Sequence, residues 1–280
     1  MQRDFRGPSR PATGRRADVA STSVGTREAT AEDLLAELGG PSPLWRWLGT
    51  PLLLGGVLVA LYVYVQGQNL DRIEQATINA QFIGEKVGEH LQLSLVSTAL
   101  VVAIAVPLGV VLTRGGARRW SSPFLGLANI GQAVPSIGVI VLLAVTVGIG
   151  FDKAIIALVV YSTLPVLRNT MVGLQQVDRA LIEAGRGMGM TKLAVLFRIE
   201  LPLAVPVMLA GIRTALIINV GTATLATFIN AGGLGFIIDN GIRLNRELVL
   251  ITGSVLTAVL ALLVDWLAGM VEDVLRPKGL

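Results

Sequence analysis

The segment of residues 123–150 contains no charged side chain. Because a transmembrane α-helix needs about 20 predominantly apolar residues, this segment is long enough to cross a bilayer. Pro135 and Ser136 lie within it together with several glycines, so a broken or kinked helix is expected. The whole chain is only 15% charged, against about 25% in a typical soluble protein. These features predict an all-α membrane protein with a helix bundle in lipid.

Five further apolar segments bring the predicted number of transmembrane helices to about six. They cover residues 48–65, residues 91–112, the stretch between Lys153 and Arg168, residues 201–238 and residues 248–270. The glycine- and threonine-rich residues 221–235 are expected to unwind or re-enter near the outer face. The polar segment 66–89 is predicted to be a loop. His90 follows it and is expected to be a surface or helix-cap residue rather than a proton relay.

The distribution of basic residues predicts the orientation of these spans. With six spans, the segments on the N-terminal side of the membrane carry 17 of the 23 Lys and Arg residues, and the opposite segments carry five. Loops rich in Lys and Arg favour the cytoplasm, so both termini are expected there. The same topology accounts for the net charge of +4 without a nucleic-acid partner.

This topology divides the chain into four parts. Residues 1–43 are rich in Arg, Ser, Thr, Gly and Pro and are predicted to form a largely disordered, basic cytoplasmic tail. Residues 44–86 hold the first span and an extracytoplasmic loop, residues 87–272 form the main membrane domain, and residues 273–280 form a cytoplasmic tail. The chain has no cysteine and one histidine, which excludes Cys-based and His-based metal clusters.

A polar, glycine-rich stretch at residues 183–202, EAGRGMGMTKLAVLFRIELP, separates two long apolar segments. Asp178 is suited to cap a short helix that ends at a group of glycines. Thr191 is suited to cap a second short helix over residues 192–199, which Pro202 would stop. The stretch therefore predicts a helix-turn-helix element at the membrane surface.

The same stretch resembles a signature of the membrane subunits of ATP-binding-cassette (ABC) importers. That signature reads E-A-A, three residues, G, nine residues, I, any residue, L-P. The matching residues here are Glu183, Ala184, Gly189, Ile199, Leu201 and Pro202, and Gly185 replaces the second alanine. The resemblance implies a type I importer permease of a bacterial cell membrane, with a core bundle of five helices and a cytoplasmic coupling loop at residues 171–202.

The resemblance also implies how this loop acts. Its helices would lie in a groove of a cytosolic ATPase. Glu183 would make a charge-assisted hydrogen bond within the loop or across that interface. Leu181, Met188 and Leu193 would supply apolar contacts.

Other segments resemble the osmoprotectant branch of this superfamily, the permeases for glycine betaine, choline and carnitine. These segments are residues 90–114, 131–139, 164–178, 210–215 and 221–235. The implied function is transport of such quaternary amines. A permease for methionine or another amine is an alternative, and a secondary transporter that needs no ATPase is a weaker one.

The resemblance implies a set of partners for the chain. They are two cytosolic ABC ATPase subunits, a second permease chain, identical or related, and a separate extracytoplasmic substrate-binding protein. No segment has the spacing of a phosphate-binding P-loop. The chain is therefore expected to hold no cofactor and to lack an ATPase site, with ATP and Mg²⁺ on the partner subunits.

Polar residues within the predicted spans, and the proline next to Ser136, are candidates for the solute pathway. They are Gln132, Pro135, Ser136, Arg213, Asn219, Thr222, Thr224, Thr227 and Asn230. Interhelical hydrogen bonding is the alternative role for these side chains. For Arg213 it is an anchor to helix carbonyls or to an acid such as Asp265. Only 5% of the chain is aromatic, so the selective quaternary-amine site is expected on the binding protein.

Overall fold

A computed structural model describes residues 43–275 of the chain, and its side chains from residue 47 onward. In this part the chain is helical. The α-helices are α1 (Pro43–Gln66), α2 (Arg72–Thr77), α3 (Ala80–Leu112), α4 (Ser121–Ala133), α5 (Ser136–Val147), α6 (Phe151–Gln176), α7 (Arg179–Gly187), α8 (Lys192–Val195), α9 (Leu201–Ala223), α10 (Gly235–Arg243) and α11 (Glu247–Leu275). The predictions for residues 1–42 and 276–280 lie outside the described residues.

Within the described residues, five helical stretches are long and apolar enough to cross a membrane. They are most of α1, α3, α6, the continuous stretch Lys192–Ile229 and α11. The pair α4–α5 meets the same test when taken together, but its two halves meet at an angle of 98°. The prediction of about six spans in an all-α membrane protein is confirmed, as is the break at Pro135.

The bundle is built around α6 and α9, which pack against each other and against α3. Helix α11 covers α9 from another side. Contacts between these helices depend on small residues that let backbones approach closely. A Cβ added at Gly211 of α9 would lie 2.6 Å from the Cβ of Asn169 and 2.9 Å from the carbonyl oxygen of Pro165 on α6. Close packing of this kind stabilises helices in lipid, where the hydrophobic effect contributes little.

The prediction of a loop over residues 66–89 is wrong. Asp71 and Glu74 form a reciprocal capping box that starts α2, with hydrogen bonds of 2.8 and 2.9 Å. Asn79 then caps α3 by accepting a hydrogen bond from the backbone N–H of Phe82 at 2.9 Å. Helix α3 therefore begins before its apolar part, because its polar first turns are capped and packed rather than solvated.

The expectation for His90 is also wrong. Its side chain is fully buried, and its Nε2 lies 2.9 Å from the carbonyl oxygen of Val220 on α9. Because α3 starts at Ala80, His90 lies three turns inside the helix and faces the bundle. It joins α3 to α9 instead of capping a helix.

Pro202 does not stop the helix that Thr191 begins, so that prediction is wrong. The helical chain continues through a π-helical turn at Leu196–Glu200 directly into α9. Pro202 lies in the first turn of α9, directly after the π-helical turn. Lys192–Ile229 is therefore one continuous stretch from the glycine turn into the bundle.

The predicted unwinding after residue 221 is confirmed. Helix α9 changes to a 3₁₀ helix at Thr224–Ile229 and then loses helical structure. Asn230 adopts the left-handed conformation with φ 58°, and Gly232 and Gly233 have φ of 81° and 83°. The chain turns back at this point and enters the short helix α10.

Candidate functional site

The loop between α6 and α9 folds as two short helices joined by a tight turn. Asp178 caps α7 by accepting a hydrogen bond from the N–H of Ala180 at 2.9 Å. Thr191 caps α8 by accepting one from Ala194 at 3.2 Å. Both predicted caps are confirmed. The turn between them uses Gly189, whose φ of +83° suits a residue without a Cβ.

Gly185 is the position at which the chain departs from the importer signature, and it is buried. A Cβ added there would lie 2.6 Å from the Cδ1 of Ile199 and 3.4 Å from the Sδ of Met190. Glycine therefore lets α7 pack directly on the π-helical turn before α9. The signature residues 185 and 199 therefore lie against each other.

The two short helices, the turn between them and the π-helical turn expose an apolar face. It consists of Leu181, Met188, Leu193 and Phe197, whose exposed fractions are 47%, 76%, 68% and 65%. We call these four residues the coupling face. Sequence reasoning missed Phe197, although its spacing of four residues from Leu193 places both on one side of a helix. Exposed apolar patches with polar surroundings mark interaction sites.

The remaining signature residues surround this face or support it. Glu183 and Ala184 are exposed on α7, and the carboxylate of Glu183 forms no ion pair with any residue the structure describes. Leu201 packs with the buried cluster around Leu196 and Ala204. The signature thus combines one exposed acid with apolar residues that hold the loop on the bundle.

A half-buried ion pair joins this loop to the end of α3. The Nη2 of Arg114, just after α3, lies 2.6 Å from Oε2 of Glu200, and its Nη1 donates to Oε1 at 3.0 Å. Glu200 is only 5% exposed, and the two-point contact restricts both side chains. Sequence reasoning missed this pair because its members lie far apart in the chain. The pair therefore connects the loop to the end of α3 as well as to α9.

Arg213, a pathway candidate, pairs two helices at the same end of the bundle. Its Nε lies 2.7 Å from Oδ1 of Asp265, and its Nη1 lies 3.4 Å from Oε2 of Glu272. Gly269 leaves room for the guanidinium, since a Cβ there would lie 3.2 Å from Nη1. These contacts fit the structural role that was the alternative for Arg213, in which it is anchored to an acid such as Asp265.

Asn219 lies fully buried where α3, α6 and α9 meet. Its side-chain amide lies 2.9 Å from the Oγ1 of Thr98 on α3. With the amide turned over, its nitrogen would donate to Ser162 on α6 at 2.9 Å while its oxygen faces Thr98. Asn219 therefore links three helices through hydrogen bonds, together with two hydroxyl groups that sequence reasoning missed.

Two other pathway candidates donate hydrogen bonds to backbone carbonyl groups. Thr224 donates to the carbonyl oxygen of Gly221 at 2.6 Å, and Gln132 donates to that of Tyr161 at 3.2 Å. Thr222 is buried, whereas Pro135 and Ser136 form the bend between α4 and α5. These residues are not brought together into one site.

Two candidates do share a cavity. Thr227 and Asn230 line a cavity of about 490 Å³ at the end of the bundle opposite the coupling face. We call it the mouth cavity. Its other lining residues are Lys86, Glu89, Gln92, Phe151, Ala231, Gly232, Phe236 and Asp239. The cavity has the size of a small-molecule site and carries both charge signs.

Comparison with known proteins places this geometry in a family. Residues 105–277 match the family described as binding-protein-dependent transport system inner membrane component. The glycine betaine/carnitine/choline transport system permease protein OpuCB of Bacillus subtilis is 42% identical over 195 residues, which cover 70% of this chain and 89% of that protein. The osmoprotectant import permease protein OsmY of Salmonella typhimurium is 39% identical over 211 residues, covering 75% and 88%.

Two solved structures of ABC transporters contain chains with the same fold as this one. The inward-facing MetNI methionine ABC transporter contains a chain that superposes with a TM-score of 0.61 at 27% identity, covering 70% of this chain and 96% of that one. An amino acid ABC transporter shares the fold, with a TM-score of 0.60 at 16% identity. The match over residues 105–277 includes the whole coupling loop from α7 to α9. The chain is a multi-pass membrane protein that belongs to the family of binding-protein-dependent transport system inner membrane components.

Proposed function

We propose that the chain is the permease subunit of an ATP-driven importer of osmoprotectants such as glycine betaine, choline, carnitine or related quaternary amines. The observation that carries the mechanism is the coupling face, an exposed apolar surface on a helix pair that is bonded to the bundle at Arg114. The substrate class is supported by the names of the relatives, which transport glycine betaine, carnitine or choline. Both lines of support concern the same membrane domain.

In the proposed mechanism, two cytosolic ATPase subunits bind the coupling faces of two permease chains. ATP and Mg²⁺ bind to those subunits, since no segment of this chain has P-loop spacing. Closure of the ATPases moves α7 and α8, and the continuous stretch Lys192–Ile229 carries that movement into α9. The two permeases, identical or related, then open toward a separate extracytoplasmic binding protein that delivers the solute.

The orientation required by this mechanism follows from the basic residues. The end of the bundle that carries the coupling face also carries Arg114, Arg118 and Arg119, together with the basic residues of the loop itself. The positive-inside rule favours this end in the cytoplasm. The mouth cavity then opens toward the outside, where the binding protein would dock.

Solute uptake into proteoliposomes tests the proposal. The vesicles hold this chain with its ATPase and binding protein, with or without ATP inside, and are offered glycine betaine, choline, carnitine or methionine. We expect ATP-dependent uptake of a quaternary amine, and its loss in Glu183→Ala, whereas the matched exposed-acid control Glu247→Ala retains it.

The other outcomes separate the alternatives. Uptake of methionine alone would keep the ATP-driven mechanism and replace the substrate class, an alternative favoured by the likeness to the methionine transporter. Uptake without ATP would overturn the importer and favour a secondary transporter.

A further inference from the structure

The ammonium group of Lys86 has unusual surroundings at the mouth end of α3. It lies 2.9 Å from Oε1 of Glu89 and 3.2 Å from Oε1 of Glu85. It also lies 5.3 Å from the ring centroids of both Phe82 and Phe236. The residue is only 8% exposed. Carboxylates and phenyl rings around one cation are the groups that proteins use to hold organic ammonium ions.

Glu89 connects these surroundings to the unwound segment after α9. Its Oε2 accepts a hydrogen bond from the N–H of Gly233 at 2.7 Å, while Oε1 faces Lys86. A Cβ at Gly232 would overlap this carboxylate, so the glycine permits the contact. The carboxylate is thereby held at the wall of the mouth cavity.

The mouth cavity therefore offers groups for both ends of a zwitterion. Lys86 supplies a positive charge, Glu89 a negative charge and Phe236 an aromatic ring, and all three line the cavity. Lys86 and Glu89 pair with each other in this structure, and a zwitterion would exchange its own two charges for that pairing. The second acid of the cavity, Asp239, pairs with Arg243, which lies outside the cavity lining, at 2.6 Å. Amide groups of Gln92 and Asn230 add neutral hydrogen-bonding capacity.

We propose that the mouth cavity is a solute-binding station in which Lys86 selects quaternary amines that carry a carboxylate over those that carry only the positive charge. A betaine-type solute would place its carboxylate near Lys86 and its trimethylammonium group near Glu89 and Phe236. A bare cation such as choline carries no carboxylate, so at the same place it would leave Lys86 without that contact. This inference rests on the proposed function, because it concerns the same solute class.

The test compares Lys86→Gln with the unchanged chain in the complete transport complex. The binding protein is saturated separately with glycine betaine and with choline, so that its own affinities do not determine the rates. We expect the betaine-to-choline ratio of ATP-driven uptake to fall about tenfold, the usual effect of losing one charge-assisted hydrogen bond, here between Lys86 and the solute carboxylate. Lys153→Gln, a basic residue at the same end outside the cavity lining, should leave the ratio unchanged.

A binding measurement makes the inference independent of transport. Broadening of the trimethyl proton signals of glycine betaine and choline is recorded with the purified chain in lipid nanodiscs. Lys86→Gln should reduce broadening for glycine betaine more than for choline. Phe236→Leu, which keeps every charge, should weaken binding of both solutes and leave their ratio unaltered.

The outcomes distinguish this inference from the proposed function. An unchanged ratio in Lys86→Gln, in both uptake and binding, would overturn the station while leaving the importer intact. Absence of ATP-driven uptake by the unchanged chain would overturn the proposed function, and the binding measurement would still decide the role of Lys86.

Discussion

At the scale of single residues, Gly185 shows how a signature position depends on its packing partner. The Cδ1 of Ile199 lies where a side chain at 185 would begin. An alanine Cβ would be crowded only by the flexible end of this isoleucine, since Met190 and Val195 lie at ordinary contact distances of 3.4 and 3.5 Å. A β-branched side chain would crowd all three. Glycine in place of the second alanine of the importer signature therefore changes the packing of α7 against the π-helical turn only slightly.

We expect Gly185→Val to destabilise the chain by about 1–3 kcal/mol, the usual cost of overpacking a well-filled contact. The measurement is the unfolding transition of the detergent-solubilised chain. The same substitution in an Ile199→Val background, which lacks the crowding Cδ1 atom, should cost less. An equal cost in both backgrounds would show that the contact between 185 and 199 is not the cause.

Arg213 makes a second prediction at this scale, since it holds two acids of α11. Arg213→Gln leaves Asp265 without its cation inside a membrane span, and we expect a loss of about 1–3 kcal/mol, less than for a fully buried pair because both side chains are about one-third exposed. Thermal unfolding measures the loss. Adding Asp265→Asn should restore part of it, and Arg243→Gln, an exposed pair, should change stability little. A loss that Asp265→Asn does not reduce would contradict pairing as the role of Arg213.

At the scale of elements, the coupling face combines side chains from α7, α8 and the turns that follow them. It forms only when these elements fold next to one another. We expect Phe197→Ser to reduce assembly with the ATPase and ATP-driven uptake by about tenfold, while leaving the unfolding temperature of the isolated chain almost unchanged. The reason is that Phe197 is 65% exposed and contributes little to the fold. Co-purification with the ATPase and uptake measure the effect. Leu244→Ser, a comparably exposed residue at the mouth end, is the control, and an equal loss there would indicate a general surface effect.

Elements whose signals are local in sequence were predictable, and those that depend on distant partners were not. The spans follow from apolar length, and the caps at Asp178 and Thr191 follow from side-chain chemistry within three residues. His90 looked like a surface residue because its partner, the carbonyl of Val220, belongs to α9. The cluster of Lys86 with Phe236 was missed for the same reason, since it forms only when α10 folds back onto α3.

At the scale of the whole molecule, two contacts show that the bent pair α4–α5 crosses the bundle. Arg114, before the pair, is bonded to Glu200 beside the coupling face. Gly150, after the pair, donates a backbone hydrogen bond of 2.8 Å to Ile229 at the mouth end. The chain between them passes from one end to the other, so the pair counts as one span and residues 43–275 hold six.

Six spans and the basic residues together predict which end faces the cytoplasm, and the chain is well suited to test this because it contains no cysteine. We expect a membrane-impermeant maleimide to label Gln68→Cys in intact cells, and Arg186→Cys only after the membrane is opened. Both positions are exposed, at the mouth end and on α7 respectively, so the difference reports sidedness and not burial. The opposite pattern would place the coupling face outside the cell, where no cytosolic ATPase reaches it, and would contradict the proposed mechanism together with the orientation. Labelling of both positions in intact cells would contradict three crossings between α1 and α7, because an odd number of crossings places the two positions on opposite sides of the membrane.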